Sequence, residues 1–290
     1  MNNREEETTV SATILPTDIK LDYVSIATAR KLSGLRLVLG AYSIPGPWRE
    51  ACKGLFHVKG IAYTPVVTAD EGKSDLAIGM DGSQSELIAW TGQASAPVAI
   101  WNDERPRSSW IDQLNLAERL NPEPPLIPAN ISDRILMFGL INELAGENGI
   151  AWEKRLLMVH GPLSSMPPGA EGRAFFEYLG SKYGYTPALA EAAARRIVDI
   201  LNTFDAQLAA QKRAGREYLV GDRFSAVDIY WATFCGLISP MPAERCPMAS
   251  SFRGGAYGND NADVERALTP ALLAHRDKVY EKHLELPIVF

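Results

Sequence analysis

Several features are scarce in this 290-residue chain, and each shortage excludes something. The three cysteines, Cys52, Cys235 and Cys246, form no CxxC pair, and the four histidines are scattered. Neither a disulfide framework nor a regularly spaced metal site is therefore expected. No apolar run approaches the roughly 20 residues of a membrane-spanning helix, so no membrane partner is expected. Basic residues are outnumbered, 29 against 35 acidic, giving a net charge of −6. That balance argues against nucleic acid or an anionic lipid surface as a partner. The first residues, Met1 to Thr9, carry Arg4 and a run of glutamates where a secretory leader would have an apolar core. Together these shortages predict a cytoplasmic protein from a reducing compartment. What is present is ordinary globular material, 46% hydrophobic and 22% charged, with length enough for two modest domains.

Residues 1–30 are polar and lack a clear period, and read as an N-terminal extension or loosely docked arm. The character changes at Leu35, where Leu35 to Leu39 reads as a strand ending at Gly40. A turn-rich loop, Ser43-Ile44-Pro45-Gly46-Pro47, places its second proline for the first turn of a helix. Trp48 to Lys59 carries an i, i+3, i+4 apolar stripe, and Ile61 to Val67 is rich in β-branched and aromatic residues. Strand, helix and strand in so short a span make a βαβ unit, which implies two parallel strands. A short helix around Ser85 to Trp90 follows. A strand is then entered through Ala96-Pro97 and runs to Trp101. Ser108 or Ser109 caps a helix ending near Leu120. The segment 121–128 is rich in proline and reads as a stiff linker. Everything beyond it is expected to be helical, with Ser132 capping a helix to about Ala145 and a long amphipathic helix over Leu189 to Gln211. The predicted fold class is α/β followed by all-α. The predicted divisions are an extension over 1–30, an α/β domain over 31–120, a linker over 121–128 and a helical domain over 129–290.

One local motif stands out. In Phe224-Ser225-Ala226-Val227-Asp228-Ile229, Ser225 and Asp228 are spaced for a reciprocal capping box, with Phe224 and Ile229 as the two halves of a hydrophobic staple. Late in an all-helical half, this segment resembles the capping motif of the core helix in the glutathione S-transferase superfamily. The first half resembles that superfamily's thioredoxin-like domain, through its βαβ unit, Ala96-Pro97-Val98 at the cis-proline strand, and Arg107-Ser108 heading a helix. The resemblance spans roughly residues 35 to 285.

The resemblance implies glutathione as co-substrate and a hydrophobic electrophile as second substrate. It implies that main-chain groups of Ala96, before a cis Pro97, pair with the tripeptide, and that Ser108, or its competitor Ser109, holds the γ-glutamyl carboxylate. The family usually has Glu or Gln where this chain has Arg107, which can attract a carboxylate but cannot accept from an ammonium. A hydroxyl in the loop after the first strand would activate the thiol. The family's usual position falls near Gly46 or Pro47, which have none, leaving Ser43 or Tyr42 as candidates. Trp48, Met137, Phe138, Trp152 and Arg155 fall where the family builds its second-substrate wall. Cys52 and Cys235 read as core, and the stretch 239–261 as a loop near the site. Conjugation, cis-trans isomerisation through the same thiolate, and a non-catalytic binding or regulatory role all remain open. A homodimer is implied by resemblance alone.

Overall fold

A computed structural model of the chain describes residues 21–40, 44–73, 83–253 and 256–290. Among these, the α/β half runs α1 (Ile26–Ala29), β1 (Leu35–Val38), α2 (Pro47–Val58), β2 (Tyr63–Val66), α3 (Ser85–Thr91), β3 (Val98–Trp101) and α4 (Trp110–Leu120). The helical half holds α5 (Ile131–Ala145), α6 (Ile150–Ser165), α7 (Arg173–Lys182), α8 (Pro187–Arg213), α9 (Ala226–Cys235), α10 (Ser250–Arg253), α11 (Ala262–Ala267) and α12 (Pro270–His283). The βαβ expectation holds. The sheet order is β2-β1-β3, with β1 parallel to β2 and antiparallel to β3. Pro65 sits within β2, where proline is tolerated because that strand lies at an edge.

That edge changes the reading of the chain before Leu35. Val24 pairs with β2 as a parallel bridge, its N–H donating to Pro65 O at 3.0 Å. Ile26 and Ala29 are buried with Val38, Val66, Leu87, Val98 and Ile100. Residues 21–29 are thus not a loose arm: they cover an edge that would otherwise present unpaired backbone groups. Four helical residues are too few for a period to be visible in sequence.

One cap differs from expectation and another is decided between two candidates. Asn130, not Ser132, starts α5, its side chain accepting from the amides of Ser132 and Asp133. Ser109, not Ser108, starts α4 and accepts from Asp112 N at 3.2 Å. The proline-rich segment is irregular, as expected. It is tied down at Leu126, whose N–H donates to Glu118 Oε1 at 2.8 Å and whose carbonyl accepts from Ala226 N at 2.9 Å.

The halves meet across α2, α5 and α9, and every residue of α9 is buried. A Cβ at Gly54 would meet Ile229 Cγ2 at 2.9 Å, so glycine lets α2 and α9 approach this closely. The capping box of α9 is formed, and its Asp228 carboxylate also accepts from Leu219 N at 2.9 Å and pairs with His275 Nε2 at 2.8 Å. Trp48 Nε1 donates to Ala145 O at 2.9 Å, fixing the start of α2 to the end of α5.

Candidate functional site

Between the two halves lies a cleft of about 830 Å³, within the size range typical of small-molecule sites. Its α/β side is built from Ile44, Gly46, Trp48 and Arg49 at the head of α2, Gln84 before α3, and Ala94 to Ala96 before β3. Its helical side combines Leu157, Met158, Phe175 and Phe176 with Lys154, Arg155 and Lys182. The stretch expected as a loop near the site supplies Phe252, Ala256 and Asn259 to Asn261.

Local sequence explains the α/β side. Gly46 gives α2 no side-chain cap of its own, and Pro47, which has no N–H to satisfy, occupies its first turn. Arg49 is buried one turn into α2. Its Nη1 donates to Leu39 O at 2.9 Å and Gly40 O at 2.8 Å, and its Nη2 donates to Ile44 O. One guanidinium therefore grips both flanks of residues 41–43. Tyr42 and Ser43, the thiol-activator candidates, lie outside the described residues. The Ala96–Pro97 bond is cis, and Pro97 O accepts from Gln113 Nε2 at 3.2 Å. Gln113 also donates to Arg107 O at 3.2 Å, joining the proline turn to the segment beyond β3. Gln84 is buried at the cleft with its Oε1 unpartnered among the described residues.

Of the residues singled out from sequence, the cleft brings together Ala96, Trp48 and Arg155. Pro97 is buried just behind Ala96. Arg107 turns elsewhere. Its guanidinium pairs with Glu104 at 2.5 Å, and hydrogen bonds from Arg119 and Arg107 hold the Glu104 carboxyl below its ordinary range. Ser108 is exposed, and neither it nor Ser109 lines the cleft. Met137 is core rather than wall, because α5 directs it at the packed centre of the helices. Phe138 packs on Trp110 at 6.0 Å between ring centres. Trp152 packs edge-on to Tyr183, and its Nε1 donates to Tyr183 O at 3.1 Å. Cys52 and Cys235 are core, as expected. Burial pushes both thiols up, Cys235 to about 11, away from thiolate chemistry.

Sequence reading missed Arg49, Gln84, Lys154 and Lys182. Lys182 Nζ donates to Ser95 Oγ at 2.6 Å, and Lys154 Nζ to Gly258 O at 2.5 Å. Burial lowers the Lys154 pKa, Asp260 opposes the shift, and Arg155 adds to it. No group of histidines, cysteines and carboxylates able to hold a metal occurs among the described residues.

Comparison with known proteins agrees with this geometry. Residues 187–277 match the family described as Glutathione S-transferase, C-terminal domain. A glutathione S-transferase from Methylobacterium radiotolerans, solved with glutathione sulfonate, superposes with a TM-score of 0.55 at 14% identity, over 86% of this chain and 92% of that one. The chain has the glutathione S-transferase fold. Its α/β half is the thioredoxin-like domain and the rest the helical domain of that fold. A glutathione-bound glutathione S-transferase from Methylobacillus flagellatus matches at TM-score 0.52 and 14% identity, over 86% of this chain and 96% of that one. A bacterial maleyl pyruvate isomerase of the Zeta class matches at TM-score 0.50 and 17% identity, over 86% and 92%. No curated protein matches the sequence. No described helix is long and apolar enough to cross a membrane.

Proposed function

We propose that the protein is a glutathione-dependent transferase that keeps the tripeptide's sulfur as thiolate and presents it to an electrophile in the cleft. The observation that carries this reading is the meeting of three features on one cleft: an uncapped helix start at Gly46 and Trp48, the Ala96 main chain before a cis proline, and an apolar helical wall. A free thiol ionises near 8.5, and moving that value down by about two units takes about 2.7 kcal/mol of preference for the anion. The amides and dipole at the start of α2 supply part of it. A hydroxyl from Ser43 or Tyr42, in the loop whose flanks Arg49 grips, supplies the rest. Ala96 pairs with the tripeptide backbone.

In the reaction, the glutathione S–H loses its proton to solvent and the thiolate forms a C–S bond. With an aryl halide, the halide leaves with its electron pair; with an activated alkene, reversible addition would give cis-trans isomerisation. A second reading, glutathione binding without turnover, is favoured by one observation: Gly46 and Pro47 offer no side-chain hydroxyl at the helix start. A cytoplasmic homodimer fits as well, since Ile131 and Ile135, each 66% exposed, lie four apart on α5 with nothing among the described residues covering them.

The test is retention on immobilised glutathione, turnover of a generic aryl halide, and ultraviolet titration of the bound thiol. Retention, turnover and ionisation well below that of free glutathione support the transferase. Retention without turnover across several electrophile classes supports the binding role, and no retention removes both. Unchanged turnover in Ser43→Ala removes Ser43 as the activator.

A further inference from the structure

We propose that the second substrate is an electrophile bearing a carboxylate, its apolar body against Met158, Phe175 and Phe252 and its acid group at Arg155. This rests on the reading of the cleft as the site of a glutathione-dependent enzyme, and goes beyond it by assigning the charge of the co-substrate. In a chain of net charge −6, the described lining of the cleft is cationic: Arg49, Lys154, Arg155 and Lys182 line it against a single carboxylate among the described residues, Asp260.

These cations are not equally available. Arg49 is spent on the carbonyls of Leu39, Gly40 and Ile44. Lys182 donates to Ser95 beside Ala96, on the α/β side of the cleft where the tripeptide would lie. Lys154 donates to Gly258 O and sits in the field of Asp260. Arg155 is different. Its one described contact is Nη1 to the Met158 sulfur at 3.6 Å, and it has no carboxylate partner among the described residues.

A half-buried guanidinium beside a second cation pays desolvation and repulsion with no compensating charge, a cost that a bound anion reverses. Lys154 registers the same field, since burial and Arg155 both lower its pKa. The planar fork of arginine fits a carboxylate in bidentate fashion, and the methionine and aromatic side chains around it accept a flat apolar body.

The experiment compares 4-chloro-3-nitrobenzoate with its neutral amide on the full chain. Affinity is read by calorimetry and turnover is read separately with glutathione. The acid should bind about ten-fold or more tightly than the amide, Arg155→Gln should shrink that preference to about two-fold, and Arg155→Lys should keep part of it. Equal affinity for acid and amide in the unaltered protein overturns the proposal, as does a preference that survives Arg155→Gln. So does a loss of glutathione affinity in Arg155→Gln as large as the loss of acid affinity, because the charge would then serve the tripeptide. Acid preference that depends on Arg155, in a protein that binds no glutathione, upholds the acid site and refutes the transferase. A melting curve of Arg155→Gln checks that the variant is folded.

Discussion

Replacing Asp228 by alanine should cost this protein a large part of its stability. The carboxylate is fully buried and accepts from four groups at once: Leu219 N at 2.9 Å, Ser225 N at 3.0 Å, Ser225 Oγ at 3.3 Å and His275 Nε2 at 2.8 Å. Alanine removes the acceptor and leaves two amides, a hydroxyl and an imidazole buried. A buried donor left unsatisfied costs about 1–3 kcal/mol, and breaking a buried charged pair about 3–5 kcal/mol, so the whole loss is about 3–5 kcal/mol once partial relaxation is allowed. For a chain of this length that corresponds to a fall in Tm of roughly 10 °C. Asp228→Asn keeps one acceptor oxygen but turns an NH2 toward donors, and should fall between the two. Thermal unfolding followed by circular dichroism, with guanidinium melts as a second readout, makes the measurement. A Tm for Asp228→Ala within about 2 °C of the unaltered protein would refute the reasoning, because a buried network of this kind cannot be lost so cheaply.

Three further outcomes follow from the same structure. Arg49→Ala frees the carbonyls of Leu39, Gly40 and Ile44 from their shared donor, so kcat/KM for glutathione should drop by about ten-fold or more, with Arg49→Lys recovering only part; steady-state kinetics showing no change would break the link between this grip and the site. Burial, the largest cause, pushes Cys235 and Cys246 up to about 11, so their stabilising effect is complete below pH 9 and is lost as pH rises from about 9 to 11, by about 1.4 kcal/mol per pKa unit and group; melts at pH 8 and 10.5 should show it, and rapid labelling of the native protein by a thiol reagent at pH 8 would contradict it. Ile135→Lys places a charge on the exposed α5 face and should turn a dimer into a monomer in sedimentation velocity, whereas an unchanged sedimentation coefficient would move the interface elsewhere.

How much of this was legible in the sequence depends on the range of the interaction that decides each feature. The β1–α2–β2 unit was readable because two periodicities alternate within it and Gly60 and Pro47 punctuate the changes, so each element is determined within its own few residues. The box at Ser225 and Asp228 was readable for the same reason, its partners being three residues apart. The cap of α4 was left open between Ser108 and Ser109, and that of α5 was misjudged by two residues, because such polar residues are nearly equivalent as caps until the entering backbone chooses between them. The site is the extreme case. Lys154 and Lys182 look like the solvated face of their helices, and only the packing of α6, α7 and the 252–261 segment around a cleft turns them toward a common space, beside the Arg155 that the resemblance did point to. Arg49 carries the same ambiguity inside α2. Its guanidinium holds the loop flanks only because the carbonyls of Leu39, Gly40 and Ile44 lie within reach of it, a coincidence of two loop flanks that no spacing along the chain encodes. Residues that act through backbone carbonyls of another segment leave no side-chain partner to look for, and that is why the sequence named the hydroxyls of the loop and not the arginine that holds its flanks.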